Sequence, residues 1–128
     1  MPLTQGQQQS PLYPVICGVV NLNTQAAVLG TTIIFPNAPP GIYHANTCLI
    51  VTATGTSGNL VANILVTDDL QAETIPGATI AAITSTGQAN SCLAFENAAT
   101  NNISFSVTAS GTFGSCRYSL YLVLERLF

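Results

Sequence analysis

The sequence predicts an all-β domain built as an antiparallel sandwich or barrel. Short runs rich in β-branched and aromatic residues alternate along the chain with clusters of Gly, Asn and Pro, which is the pattern of strands and turns in such folds. No segment keeps a 3.6-residue apolar period over three turns, so no helix is predicted. The length of 128 residues suits one domain with its own core.

The first 14 residues differ from the rest, and residues 15–128 are predicted to form the domain. The N-terminal part is glutamine-rich and contains Pro11 and Pro14, a pattern that neither a helix nor a central strand tolerates. It predicts an extended arm, which is either a disordered terminus or a segment that lies along a neighbouring chain. The residues expected to make such contacts are Gln7, Gln8, Gln9, Leu12 and Tyr13.

The predicted strands of the domain follow one another between turn clusters rich in Gly, Asn, Pro and Ser. They are Val15–Asn21, Thr31–Phe35, Ile42–Ala53, Leu60–Thr67, Thr79–Ser85, Ser91–Glu96, Ile103–Ala109 and Cys116–Leu127. Asp68–Pro76 is expected to be irregular or a short strand. The clusters at residues 36–41, 55–59 and 110–114 are expected to be turns.

Charge is scarce in this chain. Charged residues make up 5% of it, against roughly 25% in a typical soluble domain. Two arginines and a net charge of −3 argue against nucleic acid, because phosphate binding needs clustered Lys and Arg. A monomer with so few charges is poorly protected against self-association, so controlled assembly is the expected state.

The sequence carries no signal for a membrane or for export. No run of about 18 apolar residues is present, so no membrane-spanning helix is predicted. The first residues lack a basic stretch followed by an apolar one, so no signal peptide is predicted and synthesis in the cytoplasm is expected.

The last strand is predicted to have two apolar faces. Side chains alternate along a strand, so Tyr118, Leu120, Leu122 and Leu124 share one side while Tyr121 and Val123 share the other. A sandwich strand normally turns one polar face to water, and an apolar patch of this kind is unusual on a monomer. The second face is therefore expected to contact another subunit, with Tyr118, Tyr121 and Val123 as the candidate interface residues.

Residues 35–44 resemble the signature of the tumour-necrosis-factor-like and complement globular-head superfamily. An aromatic residue, Phe35, is followed at the family's spacing by Gly41 and Tyr43, although Ala45 and Thr47 stand where the family usually has further aromatics. The closing segment, residues 118–124, is also similar. This resemblance implies an antiparallel jelly-roll sandwich that forms homotrimers. From alternation alone, Tyr43 is expected to pack inside, together with Ala45, Thr47, Leu49 and Val51.

A narrower resemblance rests on residues 67–69 after an apolar strand and residues 121–127 at the end of the chain. These look like small jelly-roll proteins of tailed bacteriophages that decorate capsids, cement capsomers or sit on tail fibres. The resemblance implies a virion protein.

Catalytic and redox motifs are not predicted. His44 is the only histidine and lies in a predicted strand, and no Gly-x-Ser-x-Gly motif is present. Nothing in the sequence indicates an activated cysteine or a Cys–His pair. The four cysteines have no zinc-type spacing and are expected to be buried free thiols, although two disulfides in any of three pairings remain open. They are Cys17, Cys48, Cys92 and Cys116.

Asp68, Asp69 and Glu73 form the one acidic cluster of the sequence. Loop carboxylates are ligands that calcium prefers, but the spacing is not that of an EF-hand, and a solvated turn explains the same residues. The turn is the preferred interpretation, so no metal and no cofactor is predicted.

These observations favour a non-enzymatic virion protein, a homotrimer that decorates or cements a capsid. Its expected partners are its own copies and a major capsid or other virion protein, which the arm would contact. The alternative is a receptor- or glycan-binding head of a tail fibre or adhesion module, with contacts in the loops at residues 55–59 or 111–114.

Overall fold

The computed structural model describes residues 14–67 and 71–128, together with the backbone of Asp68. The predicted arm up to residue 13, with its expected contacts Gln7, Gln8, Gln9, Leu12 and Tyr13, lies outside the described residues. Every regular element in the described part is a β-strand. That part contains no helix long and apolar enough to cross a membrane.

Eight strands make up the described part of the chain. They are β1 (Val15–Gln25), β2 (Leu29–Ala38), β3 (Gly41–Ala53), β4 (Leu60–Asp68), β5 (Gln71–Ile80), β6 (Gly87–Asn97), β7 (Asn101–Ala109) and β8 (Arg117–Arg126).

The strands form two four-stranded antiparallel sheets that pack face to face. The first sheet has the order β1-β8-β3-β6 and the second has the order β2-β7-β4-β5. The first strand of the described residues, β1, pairs with β8, and β8 lies in the interior of its sheet. This arrangement is a jelly roll, which confirms the all-β sandwich expected from the sequence.

Several of the predicted strand boundaries are wrong. The first described strand continues to Gln25 rather than ending at Asn21, and β2 spans Leu29–Ala38, which includes part of the turn predicted at residues 36–41. Thr79–Ser85 was expected to be a strand, but β5 ends at Ile80 and residues 81–86 form a turn. The strand lies earlier because β5 is an edge strand, where Pro76 is tolerated, and an irregularity in the pairing with β4 falls beside it. Similarly, β6 begins at Gly87 rather than at Ser91. Gly87 has open space around it and lies in an edge strand, so it need not mark a turn.

The core lies between the sheets and is filled by alternate residues of the central strands. In β3 the buried set is Tyr43, Ala45, Thr47, Leu49 and Val51, as the sequence predicts. Cross-strand partners from β8 continue the same layer, with Leu124 opposite Ala45, Leu122 opposite Thr47, Leu120 opposite Leu49 and Tyr118 opposite Val51. Because these side chains fill the core, the intervening residues of both strands must face outward.

Tyr43 shows why the Phe35, Gly41 and Tyr43 spacing suits this fold. Its ring contacts Phe35 edge-on and stacks with Phe95, at centroid distances of 6.3 Å and 6.1 Å. Its hydroxyl donates a hydrogen bond of 2.7 Å to the Pro39 carbonyl. At Gly41 a Cβ atom would lie 2.6 Å from the Phe128 carbonyl oxygen, so a side chain there would push the C-terminus away from the start of β3.

The loop between β3 and β4 and the loop between β7 and β8 bind each other at one end of the sandwich. Asn59 and Ser110 exchange two hydrogen bonds between backbone N–H groups and side-chain oxygens, at 3.1 Å and 3.0 Å. The Ser57 backbone N–H donates to the Thr112 carbonyl at 3.0 Å. Gly58 has a φ of +97° and leaves no room for a Cβ beside the Ser110 carbonyl. Both turns expected from the sequence are therefore present, and they stabilise each other.

A buried hydrogen bond joins β3 of the first sheet to β5 of the second. The Ala78 backbone N–H of β5 donates to the Thr47 Oγ1 of β3 at 2.8 Å. Both residues are almost completely buried. Water cannot reach this N–H, so the Thr47 hydroxyl oxygen is the acceptor that keeps it from being buried without a hydrogen bond.

We expect Thr47→Val to lower the free energy of unfolding by about 1–3 kcal/mol, because the shape is kept while the Ala78 N–H loses its acceptor. Urea denaturation measures this directly. The control is Thr52→Val on the exposed side of the same strand, which should change stability by less than about 0.5 kcal/mol. Equal effects for the two variants would contradict a special role for the inter-sheet bond.

Tyr118 is fully buried. Its hydroxyl donates a hydrogen bond of 2.8 Å to the Ala27 carbonyl, and its ring meets Phe113 edge-on. Burial raises the pKa of Tyr118 to about 12, with a smaller contribution from the nearby Cys116 thiol. A tyrosine in the unfolded chain has a pKa of about 10, so the folded chain holds this proton more tightly.

The stability contributed by the Tyr118 proton is therefore complete below pH 10 and is lost as the pH rises toward 12. We expect the free energy of unfolding to fall over this range, and to fall less steeply in Tyr118→Phe, although that variant starts from a lower value. Urea midpoints at pH 8, 10 and 11 test this. Tyr121→Phe, which removes an exposed hydroxyl, should follow the parent chain, and identical slopes for all three proteins would refute the assignment.

Candidate functional site

The outward-facing side of the first sheet, here called the outer face, carries the features that suggest a function. The register places its residues in three rows that run across β1, β8, β3 and β6. The first row is Ile16, Glu125, His44 and Ala94; the second is Val19, Val123, Asn46 and Cys92; the third is Asn21, Tyr121, Cys48 and Asn90.

Large apolar side chains are exposed on the β1 and β8 half of this face. Ile16 and Val19 are 63% and 64% exposed, and Tyr121 is 37% exposed. Val19 lies directly opposite Val123. The Tyr121 hydroxyl donates a hydrogen bond of 2.9 Å to Asn23 Oδ1, which holds the ring against β1. These residues form a contiguous apolar patch of the kind that marks an interaction site.

The structure separates the three residues expected at a subunit interface. Tyr121 and Val123 lie together on the outer face, as alternation along β8 requires. Tyr118 does not join them, because its side chain faces Val51 and is buried in the core of its own subunit. The inclusion of Tyr118 was therefore wrong, since an odd-even offset of three residues along a strand reverses the direction of the side chain.

A shallow groove runs along the β3 and β6 half of the outer face. Its volume is about 450 Å³. The floor consists of short side chains on these two strands, while β8 supplies a wall. The lining residues include Asn46, Cys48, Asn90, Cys92, Tyr121 and Val123.

A carboxylate, an imidazole and a thiol are connected at the end of this groove. His44 Nδ1 lies 3.0 Å from Glu125 Oε1, and His44 Nε2 lies 2.6 Å from Cys92 Sγ. Glu125 is directly opposite His44 in the β3–β8 pair, whereas Cys92 is its diagonal neighbour on β6. The side chains of His44 and Glu125 are each about three-quarters buried, at 23% and 24% exposed.

The sequence did not indicate this Cys–His contact. His44 is separated from Cys92 by 48 positions and from Glu125 by 81. No local motif reports such a juxtaposition. The sequence did contain one useful signal, the alternation of side chains along β3. Once Tyr43 is placed inside, His44 must lie outside, but its neighbours on other strands depend on the register.

The four cysteines are free thiols in very different surroundings. Cys92 is exposed, Cys17 and Cys48 are partly buried, and Cys116 is buried, so the expectation of buried thiols holds for Cys116 and fails for Cys92. Desolvation raises the pKa of Cys116, an effect that Arg117 opposes. Desolvation likewise raises the pKa of Cys17, whose Sγ donates to the Val15 carbonyl.

The weak calcium candidates are not assembled into a site by what the structure describes. Glu73 is exposed on the edge strand β5. Asp69 and the side chain of Asp68 lie outside the described residues. Among residues 14–67 and 71–128, no group of three His, Cys, Asp or Glu side chains could hold a metal ion.

No protein-family model matches the chain. The curated proteins contain no match to it either. Among solved structures, Eiger TNF from S. frugiperda is similar with a TM-score of 0.51 and 12% identity, over 90% of this chain and 94% of that one.

A second solved structure is the N-terminal part of endo-1,4-beta-D-xylanase 10B from Clostridium thermocellum, CBM22-1-GH10 modules complexed with xylohexaose. It gives a TM-score of 0.49 and 11% identity, over 93% of this chain and 25% of that one. Identity at this level speaks for the fold alone. The similarity to Eiger TNF, together with the sheet order, shows a TNF-like jelly-roll fold.

Proposed function

We propose that this chain is a self-assembling, non-enzymatic head domain whose outer face packs against neighbouring copies of the chain. The observation that supports this most strongly is the exposed apolar patch formed by Ile16, Val19, Tyr121 and Val123. Burying such side chains stabilises an assembly by about 25 cal/mol per Å² of apolar surface removed from water.

The outer face is large enough for this role. Four strands about 4.8 Å apart, each about ten residues long at about 3.3 Å per residue, cover roughly 600 Å². A stable interface of standard size buries about 800 Å² on each partner. The face thus supplies most of the area that one copy would contribute.

The chemistry of the face favours a second copy as the occupant. The centre of the patch is uncharged, so two copies can meet without like-charge repulsion. The ionisable neighbours His44 and Glu125 already bind each other. A nucleic acid or an acidic membrane surface would instead require basic residues, and the chain has only two.

Three copies is the number suggested by the superfamily resemblance at Phe35, Gly41 and Tyr43. A finer role is suggested by the narrower resemblance to phage jelly-roll proteins: the trimer would decorate or cement a capsid, with the N-terminal arm contacting the shell. This role rests on the sequence resemblance and on the scarcity of charged residues.

We expect Val19→Asp and Tyr121→Asp each to weaken assembly more than a hundredfold, because burying an unpaired carboxylate in an interface costs about 3–5 kcal/mol. Light scattering with reductant present measures the native mass across a dilution series. The parent chain should have the mass of three copies, and the variants should have the mass of one.

The matched control is Ile33→Asp. Ile33 is 52% exposed and lies on β2 in the other sheet, so this change adds the same charge without touching the outer face. It should assemble like the parent. A monomeric parent chain, or equal loss of assembly in the control, would contradict the proposed interface.

A receptor- or glycan-binding head remains the second candidate, and the groove between β3 and β6 favours it. The side-chain amides of Asn46 and Asn90 beside the Tyr121 ring suit a small polar ligand. The loop contacts expected at residues 55–59 and 111–114 are less suitable, because Asn59 and Ser110 already bind each other. A stable monomer in light scattering would favour this candidate over assembly.

A further inference from the structure

We propose that Cys92 is a nucleophilic thiol that exchanges with small disulfides, with His44 as its base and Glu125 as the residue that positions His44. Three side chains from three adjacent strands are connected in one line, Glu125 on β8, His44 on β3 and Cys92 on β6. The proposal concerns chemistry of a single chain and does not require the assembly proposed above.

The hydrogen bonds define which nitrogen of His44 carries the proton. An ionised carboxylate only accepts hydrogen bonds, so Nδ1–H donates to Glu125 Oε1 at 3.0 Å. Nε2 then has a free lone pair, and it faces Cys92 Sγ at 2.6 Å. The thiol S–H donates to this lone pair, and Glu125 stabilises the positive charge that develops on the ring when the proton moves.

Cys92 is also the cysteine that a reagent can reach. It is exposed, on the edge strand β6, and it borders the groove of about 450 Å³. Cys116 is buried, and the Cys17 thiol donates to a backbone carbonyl rather than to a base. Cys48 lines the same groove, which makes it the closest comparison for the effect of the histidine.

These groups and one co-reactant, a low-molecular-weight disulfide, are all that the exchange reaction needs. Cys92 gives its proton to His44 Nε2, and the thiolate attacks one sulfur of the disulfide. One S–S bond forms at Cys92 while the original S–S bond breaks, and the departing thiolate takes the proton from the imidazolium. Acyl transfer would also require hydrogen-bond donors that stabilise an oxyanion. Disulfide exchange forms no oxyanion and needs no such donors.

A consequence for assembly follows, and it rests on the proposed function. Cys92 lies in the same row as Val19 and Val123. A group attached to its sulfur would stand in the groove and keep a neighbouring copy away from the outer face. Disulfide exchange would then shift the chain toward the monomer, and a reductant would reverse the shift.

The test uses the full chain and 2,2′-dithiodipyridine, whose released thione is measured by absorbance over a wide pH range. In the unassembled chain, at a dilution where light scattering shows a monomer, we expect one thiol per chain to react quickly at pH 7, and peptide masses should place the adduct on Cys92. His44→Gln should slow this phase by at least about tenfold, and Glu125→Gln should slow it by a smaller factor. The difference should shrink above pH 9, where thiols ionise without a base.

Two matched changes make the result specific. Cys92→Ser should abolish the fast phase, whereas Cys48→Ser should leave it unchanged. Cys116 reports on folding, because a buried thiol reacts only when the chain opens. A variant in which Cys116 stays unreactive has kept its fold, so a slower Cys92 can be assigned to the lost base.

Two outcomes would overturn the proposal: an unchanged rate in His44→Gln at pH 7, or a fast phase that maps to Cys48 or Cys17. Repeating the kinetics in Val19→Asp separates the chemistry from assembly. Fast reaction in this variant supports the nucleophile whatever the native mass. A native mass unchanged by the adduct in a trimeric parent would refute only the consequence for assembly.

Discussion

The register that joins β3 to β8 and β6 is the constraint on which the rest of the molecule depends. It sets Ala45, Thr47 and Leu49 against Leu124, Leu122 and Leu120, so that the inner side of the sheet is apolar except for the hydrogen-bonded Thr47 hydroxyl. A slip of one residue would turn this layer toward water and bring the outer residues into the core. Burial of the whole apolar core therefore stabilises this register against a slip.

The outer face follows from the same register. With Tyr43 inside, His44 must face out, and it must lie opposite Glu125. The chain of carboxylate, imidazole and thiol is thus placed by packing on the opposite side of the sheet. Rigid strands rather than mobile loops hold these groups, which favours a stable geometry for chemistry.

The parts of the fold that depend on alternation and turn composition could be predicted from the sequence. Gly41 and Tyr43 marked the start of β3, and its buried set was correct residue by residue. The segment around Pro76 was not predictable in the same way, because a proline reads as a break unless the strand is known to be an edge. Edge position is a property of the sheet order, which distant segments determine.

Only half of the candidate site could be predicted from the sequence, for the same physical reason. Tyr121 and Val123 were found on the outward side because parity along β8 is local information. The contact of His44 with Cys92 was missed because it depends on two strand pairings between segments that lie far apart in the chain. Parity also corrects the sequence interpretation at Tyr118, whose side chain belongs with Leu120 in the core.

The position of β8 has a consequence for how the protein is made. The last strand of the sandwich, β8, lies between β1 and β3 in the interior of the first sheet. Until it arrives, neither neighbour has its partner on that side, and both present open edges and apolar side chains. The first sheet therefore cannot close until β8 has been synthesised, and most of its pairing joins segments that lie far apart in the chain.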